Sequence, residues 1–357
     1  MSKVAVLKTK PQTVLEDYKK LMHLAEYQRY LSKERETLIK LNLSWTKYFP
    51  ACSSQPWQVE GAIKTLIEDG YKKSRLHPVE NKTVVTKPVE GAVNNKWMPI
   101  IKRYGLKFTP LPDVKWQVYH FKSKLLKLND IFPEGIQIPE MFIGKDVLHL
   151  PTVKTHGHSV TTGAIKNSFG GLLKEVRHYA HKYMHEVLVD LMLIQKELHP
   201  AIFAVMDGTV CGDGAGPRTM FPKVKNYILA SADSVAIDSI AAKMMGFDPM
   251  SIPYIRMATE MGLGMGDPKE IEIVGEDIEG VNFGFKTKKS FVIWGDQMIR
   301  KGYLRPFEKI LLHSPLVVWA PFASNVYHDV FWYPTIGKSR IKKFSKTEWG
   351  KLFDRYE

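Results

Sequence analysis

The chain has 357 residues, 44% of them hydrophobic and 25% charged. That is enough for one sizeable α/β core with a smaller appendage, and it excludes wholesale disorder. Lys and Arg outnumber Asp and Glu by 51 to 37, a formal charge of +14, so an anionic partner is expected: a phosphate- or carboxylate-bearing small molecule, an acidic surface, or nucleic acid. Two cysteines, Cys52 and Cys211, supply neither a disulfide framework nor the thiolate set of an intrinsic iron–sulfur cluster. No apolar run approaches the roughly 18 residues of a transmembrane helix, and no export signal is present, so the expectation is a cytoplasmic chain.

Val4–Leu7 reads as the first strand. Pro11 suits a helix start, and apolar residues at helical spacing predict an amphipathic helix over 12–31. Thr37–Leu43 predicts the next strand, which delivers Lys40 and Asn42 to a loop. Ser54 and Pro56 open a helix that ends at Gly70. Thr83–Thr86 predicts a brief strand, and Asn94-Asn95 precede a short helix stopped at Gly105. KFTPLP and WQVYHFK give two more strands, 124–139 an irregular excursion, and MFIGKDVLHL a return to the sheet.

The stretch that follows, HLPTVKTHGHSVTTGAIKNSFGG at 149–171, is the richest in chemistry-bearing side chains. A strand ends in Lys154, Thr155 and His156. Thr161, Thr162 and Gly163 then open a helix that carries Lys166 and Asn167 and ends at Gly170-Gly171. The unpaired first-turn N–H groups and the positive end of the helix dipole make such a start an expected anion site. Downstream, 176–198 predicts a helix with His178, His181 and His185 on one face. No acidic residue is spaced with them as a metal ligand, so they read as a solvated basic face. AIFAVMDG predicts a buried strand ending in Asp207-Gly208, followed by a Gly-rich loop through Gly216. YILASAD predicts a strand and SVAIDSIAAKMMG a helix, with Asp233 as its N-cap. IEIVG at 271–275 is the last strand.

This alternation predicts an α/β layered fold around a mixed, largely parallel sheet. From 290 the character changes to an aromatic, Pro-punctuated region with a basic tail. The expected organisation is an α/β domain at 1–289 with a C-terminal extension at 290–357 packed on it. That extension could also serve as a homo-oligomer contact or touch a membrane surface, and it is too interrupted to span a bilayer.

Dinucleotide, P-loop, nucleophile-elbow and zincin signatures are absent. What remains is a set of polar residues at inferred strand ends, where open α/β sheets bind ligands. The leading expectation is an enzyme or ligand-binding protein for a small anionic molecule. Lys154 and Lys166 would bind charge, His156 would act as acid or base, and Thr161 and Asn167 would orient the ligand. Lys40, Asn42, Glu90, Asn95, Thr155, Gly170, Gly208 and Gly216 are further candidate contacts, and Asp207 and Asp233 candidate holders of Mg²⁺. The alternatives are a redox or assembly accessory that partners a separate ferredoxin-like protein or metalloenzyme, and a nucleic-acid or ribosome binder.

LIKLNLSW at 38–45, LPTVKTHGHSVTTGAIKNSFGGL at 150–172, AVMDG with GAGP at 204–217, and ASADSVAIDSIAAKMMGFDP at 230–249 together resemble the domain of unknown function 362 (DUF362) family. The resemblance covers 3–285. Many members carry a ferredoxin-like iron–sulfur module after this domain; here the C-terminal region has no cysteine. The family's usual Lys-Pro-Asn at the early strand is Lys40-Leu41-Asn42, which keeps both polar residues. The resemblance implies no particular activity.

Overall fold

Period-two alternation sorts each central strand between two apolar clusters. The computed structural model describes residues 2–83, 85–174, 180–288, 291–304, 306 and 319–357. In β1 (Ser2–Lys8), Ala5 and Leu7 enter one cluster and Val4 and Val6 another. After α1 (Val14–Leu24), β2 (Thr37–Lys40) divides Ile39 from Leu38 in the same way. A sheet apolar on both faces needs helices on both faces.

The chain then runs through α2 (Pro56–Glu68), β3 (Leu76–Glu80), α3 (Pro88–Asn94), α4 (Trp97–Arg103), β4 (Thr109–Pro110), β5 (Trp116–Tyr119), α5 (Leu128–Ile131) and β6 (Ile136–Pro139). Next come β7 (Asp146–His149), β8 (Thr152–His156), β9 (Val160–Thr162), α6 (Ala164–Leu172) and α7 (Met184–Leu198). The sheet is completed by β10 (Ile202–Ala215), β11 (Thr219–Ser231) and, beyond α8 (Ser234–Met245) and α9 (Pro253–Glu260), β12 (Ile271–Gly275). The order is β12-β1-β11-β10-β7-β2-β3-β4, with β8 on β10 and β9 on β8. Most pairings are parallel; β11 is antiparallel to both neighbours. The fold is α/β around a mixed, mostly parallel sheet. α1, α2 and α4 cover one face, and α6, α7, α8 and α9 the other. β5 and β6 form a separate two-stranded ribbon.

Beyond α10 (Phe291–Lys301), the described part of the C-terminal region comprises α11 (Trp319–Asn325), a π-helical stretch (Val326–Gly337), α12 (Lys338–Phe344) and α13 (Glu348–Asp354). Trp349 packs 4.9 Å from Trp57, Phe353 stacks 3.7 Å from Tyr48, and the Trp45 indole donates to Asp329 at 2.7 Å. Among the described residues no helix is long and apolar enough to cross a membrane.

Several expectations shift. Thr83 and Thr86 form only an isolated bridge. The strand is Leu76–Glu80, masked in the sequence by Pro78, which lacks a ladder donor. The excursion at 124–139 contains β6, which pairs with β5. The expected 12–31 helix breaks after α1, with Glu26 left-handed at φ 53°. The Gly-rich segment after Asp207 is no loop: β10 continues to Ala215 and pairs antiparallel with β11. Its glycines allow close packing. A Cβ on Gly216 would collide with the Thr155 carbonyl.

Candidate functional site

The carboxyl edge of the sheet does gather the polar side chains, but they bind one another. β8 places Lys154 and His156 on one face, two residues apart. The Lys154 ammonium donates to Asn42 Oδ1 (2.6 Å), the Cys52 carbonyl (2.7 Å) and Thr152 Oγ1 (2.8 Å). Asn42 Nδ2 donates to Asn167 Oδ1 (3.3 Å), and Asn167 Nδ2 donates to the Lys40 carbonyl (3.0 Å) and His149 Nδ1 (3.3 Å). His149 Nε2 then donates to Gln195 Oε1 at 2.6 Å. Every donor in this chain meets an acceptor, from Lys154 in β8 to Gln195 in α7. Burial lowers His149 to about 3 and Lys154 to about 8. All three acceptors on Lys154 are uncharged, so its ammonium is held by dipoles rather than by an ion pair.

Lys40 is turned away from this chain. It forms a buried ion pair with Glu80 at 2.7 Å and also donates to the Leu41 carbonyl. Gly170 and Gly171 do not stop α6; they let it pass over Lys40. A Cβ at Gly171 would lie 3.0 Å from Lys40 Cε.

The start of α6 corrects the simplest reading of the motif. Its first-turn N–H groups are already capped by an internal carboxyl group: Asp238 of α8 accepts from Ala164 N at 2.6 Å and Ile165 N at 3.2 Å. Thr161 Oγ1 lies 3.0 Å from the Tyr254 hydroxyl, whose other contact is Asp238. Burial raises Asp238 to about 7. Gly163 admits this carboxyl group, because a Cβ there would sit on it.

His156 is buried, and its Nδ1 accepts from the N–H groups of His158 (3.1 Å) and Ser159 (3.3 Å). The ring proton therefore resides on Nε2. Burial, then the charges of Lys166, His158 and His181, push its pKa well below the usual histidine value. The side chain is a neutral Nε2–H donor in the resting fold. The lone pair that a base would use is already taken up at Nδ1.

Its ring neighbour His158 lines a cavity of 260 Å³. It is lined by His158 from the β8–β9 turn; His181, Lys182, Met184, His185 and Glu186 around the start of α7; Pro253 and Met257 of α9; and Gln297 and Arg300 of α10. Gln297 Nε2 donates to the Gly157 carbonyl at 3.2 Å and ties α10 to the turn. The His156 and His158 rings are 5.8 Å apart, His158 and His181 5.3 Å, and the Lys166 ammonium sits 5.1 Å from the Phe169 ring that flanks His181. Among the described residues the lining thus carries two permanent cations and three histidines against one carboxylate. His181 and His185 are half-buried wall residues, not a solvated face; His178 lies outside the described residues. Arg300 and His158 are both in this lining, yet only His158 stood inside the motif. No local signal in the sequence marks Arg300.

The model of the family described as Domain of unknown function (DUF362) matches residues 37–243, β2 through most of α8. The chain belongs to that family. A curated relative, the Thylakoid-associated protein sll1697 of Synechocystis, is 27% identical over 179 residues, 48% of this chain and 52% of the relative. The chain thus spans about half the length of that relative. Two solved structures are similar at low identity. A Thermotoga maritima protein has TM-score 0.39 and 13% identity, with 70% of this chain and 59% of that chain covered. The lactate racemase apoprotein of Thermoanaerobacterium thermosaccharolyticum has TM-score 0.41 and 11% identity, with 69% and 57% covered.

None of the site residues expected from the sequence, His156, Lys154 and Lys166 included, is among the described residues of the cavity lining, and the rest of this DUF362 chain's candidates are engaged elsewhere. Asp207 accepts from the Tyr18 hydroxyl (2.7 Å), Trp57 Nε1 (3.0 Å), and the N–H and hydroxyl of Thr209. Asp233 caps α8 at Val235 and Ala236 and also accepts from Met265 N and Ser2 Oγ. Both carboxylates are saturated with protein donors and do not fit a Mg²⁺ site. Among the described residues, no three His, Cys, Asp or Glu groups are placed to hold a metal. Glu90 is exposed and pairs with Lys87 at 3.4 Å, and Asn95 bonds back to the Gly91 carbonyl. Thr155 donates to the Gly214 carbonyl at 2.9 Å, and Gly208 lies against the Tyr227 carbonyl. Cys52 and Cys211 are buried free thiols in different apolar clusters. Burial raises the Cys52 pKa to about 11 and pushes Cys211 well up.

Proposed function

We propose that this protein binds a small phosphate- or carboxylate-bearing molecule in the cavity lined by His158. The observation that carries the reading is the lining: Lys182, Arg300, His158, His181 and His185 converge there, and among the described residues Glu186 is the one carboxylate with them. Arg300 is 4% exposed, so a guanidinium in that wall meets an anion at low local dielectric and offers a planar fork of donors. Lys166, beside the Phe169 ring that flanks His181, would add its charge from behind the wall, and His156 would support His158. Lys154, Asn42, Asn167 and Lys40 hold the wall in place from behind.

The measurement is thermal unfolding of the full chain with inorganic phosphate and with simple carboxylates, against matched chloride. A ligand at a hundred times its Kd stabilises the folded state by about 2.7 kcal/mol, which moves Tm by several degrees. Arg300→Gln should keep the fold and lose most of that shift. No response to any of these anions, or an Arg300→Gln variant that responds like the parent, would overturn the reading.

A further inference from the structure

The helical segment from α11 to α12 is apolar on the side turned away from the domain. Its inner side is accounted for: Ser324, His328 and Trp332 are buried, and the Trp332 ring lies 5.2 Å from Phe49 and 5.9 Å from Trp45. The Asp329 contact with the Trp45 indole fixes the helix rotation. On the outer side, Phe322 is 70% exposed, Val330 69% and Phe331 58%, with Val326 beside them. A helix that packs one face on its own domain usually presents a polar opposite face; this one presents phenylalanine and valine.

The order of residues along that face is the second observation. An α-helix turns every 3.6 residues, and π turns are wider, so a segment that mixes the two brings every fourth residue onto one line. That line reads Phe322, Val326, Val330, Pro334, Lys338, Lys342, with Lys346 just past the end of α12, and all are exposed. It is apolar in its first half and cationic in its second. No Asp or Glu occurs between Val330 and Thr347. A protein partner can match an apolar patch alone. A patch continued by exposed lysines without a carboxylate matches a layer that is apolar below and anionic above, as in interfacial helices.

We propose that this outer face docks on an anionic lipid bilayer, with Phe322, Val326, Val330 and Phe331 entering the headgroup–acyl boundary and Lys338, Lys342 and Lys346 lying on the phosphates. The contact is peripheral, and the cavity lined by His158 has no part in it.

The test is co-sedimentation of the full chain with vesicles of phosphatidylcholine alone and of phosphatidylcholine with phosphatidylglycerol, at low and high salt. The expected result is binding to the mixed vesicles that weakens with salt. The triple variant Phe322→Ser, Val330→Ser, Phe331→Ser changes exposed positions only and should bind about tenfold less or weaker, with its thermal unfolding unchanged. Lys338→Glu with Lys342→Glu should abolish the preference for phosphatidylglycerol. Absence of binding to mixed vesicles, or equal binding by the triple variant, overturns the proposal. So does a parent chain that is dimeric by sedimentation velocity, becomes monomeric in the triple variant and ignores vesicles, because the occupant is then a second copy.

Discussion

Replacing Asp238 tests the central correction that the structure makes, an internal carboxyl group where the motif alone suggests a ligand. Asp238→Ala leaves the N–H groups of Ala164 and Ile165 buried and unpaired. An unsatisfied buried donor costs about 1–3 kcal/mol, and loss of a helix cap about 0.5–2 kcal/mol. The cap loss is the same event and is not added, so two stranded donors make the expected destabilisation about 2–6 kcal/mol, read from urea unfolding. Asp238→Asn keeps one acceptor oxygen and should cost less, with a pH signature of its own. Burial raises Asp238 from 3.8 to about 7 in the fold. A raised carboxyl favours the folded state fully below its unfolded pKa, and that contribution drains away as pH climbs towards about 7, at about 1.4 kcal/mol per unit. Asparagine has no such loss. The gap between Asp238→Asn and the parent should therefore narrow by about 2–3 kcal/mol between pH 5 and pH 7. An Asp238→Ala variant within about 1 kcal/mol of the parent, or a gap that does not change with pH, would refute the assignment.

Lys40→Met should cost about 3–5 kcal/mol, because it strands the buried Glu80; Lys40→Met with Glu80→Leu should recover most of the loss in the same urea assay. Gly163→Ala should cost about 1–3 kcal/mol by overpacking against Asp238, with faster hydrogen exchange confined to the first turn of α6. Acid should destabilise the whole protein. His149 (about 3), His199 (about 4), His328 (about 3) and His156 are lowered mainly by burial, so their contribution is full above 6.5 and is lost as pH falls. Asp207 (about 6) and Asp238 (about 7) act in the opposite sense. The histidines outnumber the opposing carboxyls, so net stability should fall as pH drops from about 6 to about 4.5. A urea midpoint unchanged across that interval would contradict the burial of these rings.

Where a feature depends on neighbours in the chain, the sequence is a good guide to it. Ile271–Gly275 is a strand with the expected bounds, and Asp233 caps α8 through Val235 N and Ala236 N, because a short acidic side chain before an apolar run serves the next two donors wherever it occurs. The strand ending at His156 and the helix opening at Gly163 follow from the same local logic. Features settled by distant partners are hidden. Pro78 conceals β3, whose place comes from pairing with β2. The glycines after Asp207 resemble a loop until β11 returns to pair with them. Nothing near Ala164 indicates that its N–H is met from α8.

Polar residues at strand ends can point to a ligand site without forming it. Lys154, Asn42, Asn167 and His149 are the right residue types at the right edge, yet their donors and acceptors are matched to each other. A fully satisfied buried chain of this kind rigidifies what it touches. It fixes β8 against α6 and α7, so the turn after His156 and the first turn of α7 meet at a set distance. The cavity opens where those two elements and α10 come together, and Lys182 and Arg300 are in its lining. On the proposed reading the edge residues are the frame, and the ligand-facing groups would come from His158, His181, His185 and Arg300. These four are spread over more than a hundred residues of chain and gain meaning only when the layers close.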